Sequence, residues 1–380
     1  MVIQRSIFSQ IKEQFTKKPK IIILYGPRQA GKTTLIKQLL AEYQEKSVYL
    51  AGEDLRVQEV WSKPNAATLK KQIGDADLVV IDEAQKIENI GNSLKLVYDT
   101  FSPQMLVSGS ASLELANQTA EPLTGRTTTF TLYPLSALEI PIAAPDISFV
   151  PRLEEFLRFG LYPETVVSVS EEDKIIYLNE LLNNYLYKDI LSFEQVRKPK
   201  KIVDLLSLLA LQIGNEVSIQ ELAESLSISK VVVEKYLDLL EKMFVIINIR
   251  GFSRNLRKEI SKTSKYYFVD LGLRNALIRN FNPFHLRNDT GACFENFCVI
   301  EKIKVLANNR KAANLYFWRT YDQKEIDLVE ESGGILKAFE FKWMSREQKT
   351  NPAAREFTSV YPNSIFKAVN RQNIEEFLKE

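Results

Sequence analysis

Histidine is almost missing from this sequence, with His285 alone, and cysteine is limited to Cys293 and Cys298. A zinc finger needs four such ligands and is excluded, and a single histidine disfavours histidine-based triads and multi-histidine metal sites. Any metal here must be a hard cation held by oxygen. The two cysteines lie five apart on one predicted helix without a second pair, which reads as buried free thiols. Long apolar runs are missing too, since no stretch approaches the ~20 residues of a membrane-spanning helix. The opening MVIQRSIFSQIKEQF places Ile3, Ile7, Ile11 and Phe15 at helical spacing and lacks a signal peptide's unbroken apolar core. An amphipathic helix packed on the first domain of a cytoplasmic protein is the expectation. Charge of one sign is not in excess either: 50 Lys and Arg face 48 Asp and Glu, for a net +2. Affinity for a polyanion must therefore come from local clustering.

What is present is apolar material for several cores. At 380 residues and 45% hydrophobic content the chain exceeds one ordinary core, and two to four packed units are expected. The run IIILY (21–25) leads into GPRQAGKT (26–33) and then the helix-patterned TLIKQLLAEY. This is the phosphate-binding loop in its required strand, loop, helix context. The residues that would cradle ATP are Gly26, Pro27, Arg28, Gln29, Ala30, Gly31, Lys32, Thr33 and Thr34. Gly26 and Gly31 permit close backbone approach, and the helix N-terminus adds a favourable dipole. Lys32 would meet the terminal phosphates and Thr33 would place its hydroxyl on Mg²⁺.

A second apolar run, DLVVIDEA (77–84), predicts a strand buried on both faces and ending in Asp82 and Glu83. Asp82 would hold the Mg²⁺ water shell and Glu83 would polarise the attacking water. MLVSGSAS (105–112) predicts a further buried strand, with Ser108 or Ser110 as candidates to sense the terminal phosphate. Together with LTGRTTTFTLYPLSALE (123–139), these features resemble the AAA-type ATPases of bacteria and archaea. The resemblance implies that Arg126 is an arginine finger for a neighbouring subunit's nucleotide, which would make the working form a homo-oligomer. An arginine that neutralises a local carboxylate is the other reading. FGLYPE (159–164), amid helical patterns from 151, resembles a variant of that family's G-G-Y-P-E turn and implies a helical lid.

Beyond RKPKK (197–201), three helical patterns end in the strand-like VIINIRGF, which reads as a winged helix-turn-helix with Ser218 and Ser227 or Ser229 as N-caps. Its wing carries Arg250, Arg254, Arg257, Lys258, Lys262 and Lys265 against one acid, Glu259, a candidate DNA-binding surface. The helix SKVVVEKYLDLL offers few base-reading groups, so sequence-specific binding is disfavoured. Use of the same module for protein contacts is the alternative.

In the last segment, Glu295 on a predicted helix, Asp327 in EIDLV and Glu340-Phe341-Lys342 in the next strand resemble the restriction-endonuclease-like core. That resemblance implies Mg²⁺ or Mn²⁺ on Glu295, Asp327 and Glu340, with Lys342 orienting the attacking water. An active nuclease, an inactive nuclease fold and unconnected surface charges remain three readings. Nearly the whole chain resembles a widespread prokaryotic family that joins an AAA-type ATPase to a C-terminal domain of unknown function. The expected α/β organisation is a P-loop ATPase core (1–150), a helical lid (151–199), a winged helix (200–268) and a nuclease-like α/β domain (269–380). The function expected is an ATP-hydrolysing, DNA-binding protein with a metal-dependent nuclease or nuclease-like domain. Its rival is a nucleotide-switched signalling ATPase that cuts nothing.

Overall fold

The structure is a computed structural model, which describes residues 3–17, 19–43, 46–109, 122–140, 149–183, 199–253, 264–320, 322–344 and 352–380. They pack into two units, one comprising Met1–Leu135, Lys242–Phe244 and Ala307–Asn309, the other the remainder from Ser136 onward. Among the described residues no helix is long and apolar enough to cross a membrane.

The first unit is built on five parallel strands, β1 (Ile21–Tyr25), β2 (Ser47–Ala51), β3 (Leu78–Asp82), β4 (Gln104–Gly109) and β5 (Thr127–Thr131), in the order β2-β3-β4-β1-β5. Every residue of β3 and β4 is buried. Alternation explains how: Val79, Ile81, Met105 and Val107 enter a cluster with Trp61, Leu94 and Val97, while Leu78, Val80 and Leu106 enter another with Leu35, Ile36 and Leu39. Both clusters are closed by helices, the setting in which parallel strands read as continuous apolar runs. The amphipathic N-terminal segment folds as the helix Phe8–Phe15, one turn later than its pattern suggested, with Ile7 and Ile11 in the second cluster.

The second unit opens with helices Leu153–Phe159, Pro163–Val167 and Glu171–Leu181. Pro163 starts its helix where a missing N–H does no harm, and the buried Asp270 carboxylate accepts from the Leu161 backbone N–H at 2.7 Å, tying down the Phe159-Gly160-Leu161 turn. After helix Pro199–Leu211 come β6 (Glu216–Val217), helices Ile219–Leu226 and Lys230–Lys242, then β7 (Ile246–Gly251) and β8 (Ser264–Phe268). Ser218 caps the first of these two helices as expected. The chain continues through helix Thr290–Asn308, β9 (Asn314–Arg319), β10 (Glu325–Ser332), β11 (Ile335–Lys342), helix Pro352–Val360 and β12 (Ser364–Asn370).

One seven-stranded sheet, β12-β11-β10-β9-β7-β8-β6, runs through all of these strands. The seam is the parallel pairing of β7 with β9, Arg250 against Tyr316 and Gly251 against Phe317. Strands on either side of residue 268 therefore share one sheet, with β7 and β8 extending the β-structure of β9, β10 and β11. Between β10 and β11, Gly333 and Gly334 both have positive φ (58° and 80°), the requirement of a two-residue hairpin that matches strand twist. That tight turn sets Leu328 opposite Phe339, and just beyond this last rung the Phe341 backbone N–H donates to Asp327 Oδ2, beside Glu340 and Lys342.

Candidate functional site

The phosphate-binding loop sits at the C-terminal end of β1. Gly31, at φ 96°, turns the chain into helix Lys32–Glu42, a left-handed position that a side chain would strain. The Lys32 ammonium is folded onto the loop, donating to Gly26 O at 3.0 Å and Pro27 O at 2.9 Å. Burial pushes Lys32 down to about 8, with Glu83 and Asp82 pulling the other way.

Asp82 is the hub beside it. Its Oδ2 accepts from Thr33 Oγ1 at 2.7 Å and from the Tyr49 hydroxyl at 3.0 Å, while its Oδ1 accepts from Ser108 Oγ. Ser108 also accepts from the Glu83 backbone N–H at 3.1 Å, so it aligns both acids rather than reaching toward a phosphate. Ser110 lies outside the described residues. Glu83 occupies the left-handed region at φ 52°, a conformation costing a non-glycine residue of order 1–3 kcal/mol and concentrated at functional sites. Its Oε2 accepts from Gln85 Nε2 at 2.5 Å. The hydroxyl of Thr33 and the carboxylate of Asp82, already adjacent, form a donor set that fits a hard Mg²⁺.

Two contributors escaped the sequence reading. Tyr49 sits on β2 with no motif around it, and burial with the Asp82 charge pushes its hydroxyl pKa well up, so it stays a donor. Arg5, buried, donates to Ala30 O and Tyr133 O at 2.7 Å each and so anchors the loop from the N-terminal segment. The only hint was a charge inside an apolar helical pattern.

Arg126 is held in a two-pronged pair with Asp99, Nε to Oδ1 at 2.8 Å and Nη2 to Oδ2 at 3.1 Å, both open to solvent. It directly precedes β5, whose Thr127 pairs with Ile21 at the start of β1, whereas the phosphate loop follows Tyr25 at its other end. Four rungs of a parallel pair span ~13 Å. Arg126 therefore cannot serve the loop of its own chain.

In the second unit, Glu295, Asp327, Glu340 and Lys342 do come together, with three residues that the sequence reading did not assign there. Glu295 Oε1 accepts from Lys265 Nζ at 2.9 Å and from the Tyr267 hydroxyl at 2.7 Å. Lys265 also pairs with Glu325. Asp327 Oδ2 accepts from the Phe341 backbone N–H at 2.7 Å, where a register shift between Ile326 and Val329 marks a bulge that re-aims the strand. Lys342 Nζ lies 2.6 Å from Glu340 Oε1, and Glu340 Oε2 is buried without a hydrogen-bond partner among the described residues. Burial, reinforced by Glu295 and Glu340, lifts the Asp327 carboxyl well above the carboxylate range. Burial opposes the charge of Lys265, but Glu295, Glu325 and Asp327 outweigh it and raise its pKa.

The expected metal set does not fit this arrangement. Among the described residues no group of three or more acids, histidines or cysteines stands as a cation-holding cluster. The physical reason is that a buried ammonium, Lys265, stands among them, and one oxygen of each acid is already held: Glu295 Oε1 by Lys265 and Tyr267, Asp327 Oδ2 by the Phe341 amide and Glu340 Oε1 by Lys342. Lys265 is also corrected as a DNA contact, because it is 1% exposed and points into the acids. Its position was legible as a single charge beginning the apolar strand KYYFV. Arg254, Arg257, Lys258 and Lys262 lie outside the described residues, and Arg250 is exposed. Cys293 and Cys298 are buried free thiols, as expected.

Residues 18–141 match a family described as AAA domain, and residues 150–283 and 290–373 match two others, Domain of unknown function (DUF8612) and Domain of unknown function (DUF4143). An uncharacterized protein of Mycobacterium tuberculosis is 28% identical over 347 residues, 90% of this chain and 74% of that protein. One of Haemophilus influenzae is 24% identical over 348 residues, 86% and 84% of the two chains. Among solved structures, a Walker-type ATPase of Pyrococcus abyssi shares the fold with a TM-score of 0.52 at 16% identity, over 73% of this chain and 96% of that one.

Proposed function

We propose that this chain, whose residues 18–141 are an AAA-type ATPase domain, is an ATP-hydrolysing switch whose second unit engages a partner and cuts nothing. In the first unit Lys32 binds and neutralises the terminal phosphates, Thr33 and Asp82 hold Mg²⁺, and Glu83 takes the proton of the attacking water. Mg²⁺ supplies electrostatic stabilisation of the transferred phosphoryl group. Ser108 and Tyr49 keep the two acids aligned. The helices Leu153–Phe159, Pro163–Val167 and Glu171–Leu181 are read as a lid.

In the second unit, the order of helix, β6, two helices, β7 and β8, with β6 paired to β8, supports a winged helix-turn-helix. Helix Thr290–Asn308, the antiparallel β9-β10-β11 and β12 parallel to β11 support a restriction-endonuclease-like core. The observation that carries the non-cutting reading is that Glu295, Asp327 and Glu340 each already have a protein donor or cation. Incubation of the full chain with linear, supercoiled and forked DNA, with Mg²⁺ or Mn²⁺ and with or without ATP, should leave every form intact. Cleavage that disappears in Asp327→Ala would overturn it.

The exposed face of helix Lys230–Lys242 carries Lys230, Val231, Glu234, Lys235 and Asp238, whose charges cancel. Such a face suits a protein partner better than phosphates. A second reading, DNA binding through the wing, is favoured by the exposure of Arg250 at the end of β7 beside the basic run of 254–262. If Arg250, Arg254, Arg257, Lys258 and Lys262 each neutralise a phosphate, raising salt from 50 to 200 mM should weaken binding by roughly several hundred-fold. Arg254, Arg257 and Lys258 changed together to Ala should flatten that dependence, whereas Lys265→Ala should not. An unchanged affinity in the triple variant leaves the partner-binding reading alone.

A further inference from the structure

We propose that Lys265 is the resident cation of the acidic cluster in the second unit, standing where a nuclease-like fold would carry a divalent metal. The inference rests on the nuclease-like reading of that unit and adds the identity of what holds its acids together. Carboxylates gathered in a buried place repel one another unless a cation joins them. Here the cation is a side chain of the protein. Lys265, 1% exposed, sets its ammonium 2.9 Å from Glu295 Oε1, pairs with Glu325 and lies 5.6 Å from the centre of the Phe317 ring.

Its neighbours are arranged around an ammonium and not around a metal. Tyr267, two residues along β8 and so on the same face, donates to the same Glu295 oxygen at 2.7 Å. An oxygen receiving two hydrogen-bond donors has spent the lone pairs a metal would use. Asp327 Oδ2 is committed to the Phe341 N–H, and Glu340 Oε1 to Lys342. The second oxygens of the three acids, Glu295 Oε2, Asp327 Oδ1 and Glu340 Oε2, take no part in these hydrogen bonds, so it is the Lys265 charge and not a shortage of oxygens that disfavours a metal. A divalent ion entering this space would meet the Lys265 charge at short range in a poorly screened setting.

The source of the lysine gives the arrangement a consequence. Lys265 belongs to β8, outside the helix, three-stranded meander, helix and strand that make up the nuclease-like core. It reaches the acids because β7 pairs with β9 and carries β8 into the same sheet. The wing thus supplies the counter-charge of the core, and the two modules are fastened by an ion cluster where a metal-loaded core would stand alone.

The test measures Mn²⁺ binding to the nucleotide-free full chain by the loss of the free-ion electron paramagnetic resonance signal. Wild type should show no site that Asp327→Asn removes. Lys265→Ala should gain one Mn²⁺ per chain, bound at least about tenfold more tightly than by wild type, because a like charge has been withdrawn. Adding Asp327→Asn to Lys265→Ala should abolish that gain. An Asp327-dependent Mn²⁺ site in wild type overturns the proposal, and so does a folded Lys265→Ala chain, with ATP hydrolysis intact, that gains none. The wild-type measurement decides even if Lys265→Ala fails to fold. A chain that binds Mn²⁺ through Asp327 yet cuts no DNA defeats the resident-cation proposal alone, whereas DNA cleavage defeats the non-cutting reading itself.

Discussion

Lys32→Ala should weaken ATP binding on the order of a hundredfold, about 3 kcal/mol, because it deletes the charge-assisted contacts to the terminal phosphates. The Lys32 ammonium donates to Gly26 O and Pro27 O and so is held within the phosphate-binding loop. Its proton is part of the effect. Burial holds Lys32 at about 8 in the nucleotide-free chain, and a bound polyphosphate raises that value by placing negative charge beside it. Below about 8 the loop is charged before binding. As pH rises through that value the empty loop loses its proton and the bound loop keeps it, so affinity should fall and binding should take up a proton. Titration calorimetry at several pH values reads both, and Lys32→Ala should lack the slope. Glu83→Gln is the contrast: it should bind ATP nearly as wild type does and hydrolyse it ~10²–10⁴-fold more slowly, since shape survives and the base is gone. Equal ATP affinity in Lys32→Ala and wild type would remove the loop from nucleotide binding altogether.

The parts read most easily from sequence were those in which local pattern and tertiary role coincide. IIILY, DLVVIDEA and MLVSG are apolar because both faces of the sheet are covered, and the loop chemistry between 26 and 33 is contiguous in the chain. The acidic cluster was half legible. Asp327, Glu340 and Lys342 lie near one another through a two-residue turn, so strand alternation brought them together on paper. Lys265, Tyr267 and Glu325 reach the same place only through the pairing of β7 with β9, a long-range contact that leaves no periodic trace. A basic residue near a basic loop was therefore read as facing solvent. The same limit explains Tyr49 and Ser108: each reaches Asp82 from a neighbouring parallel strand, and the register of parallel strands is not written between them.

Arg126→Ala should lower ATP hydrolysis by ~10³-fold with little change in ATP affinity, if the arginine completes a neighbouring subunit's site. Geometry already removes one competitor, since Arg126 stands at the end of the β1 and β5 pair away from its own phosphate loop. Its present partner, Asp99, is no obstacle, because a solvent-exposed pair is readily exchanged for a phosphate. An arginine acting across an interface makes activity depend on assembly, so hydrolysis per subunit should rise with protein concentration. Mixing is the stringent version. An Arg126→Ala chain keeps an intact loop and a Lys32→Ala chain keeps an intact arginine, so interfaces pairing the two hold one complete site and should recover part of the lost rate. An arginine that only neutralises Asp99 behaves otherwise: Arg126→Ala would leave turnover near wild type, dilution would not matter, and mixing would rescue nothing.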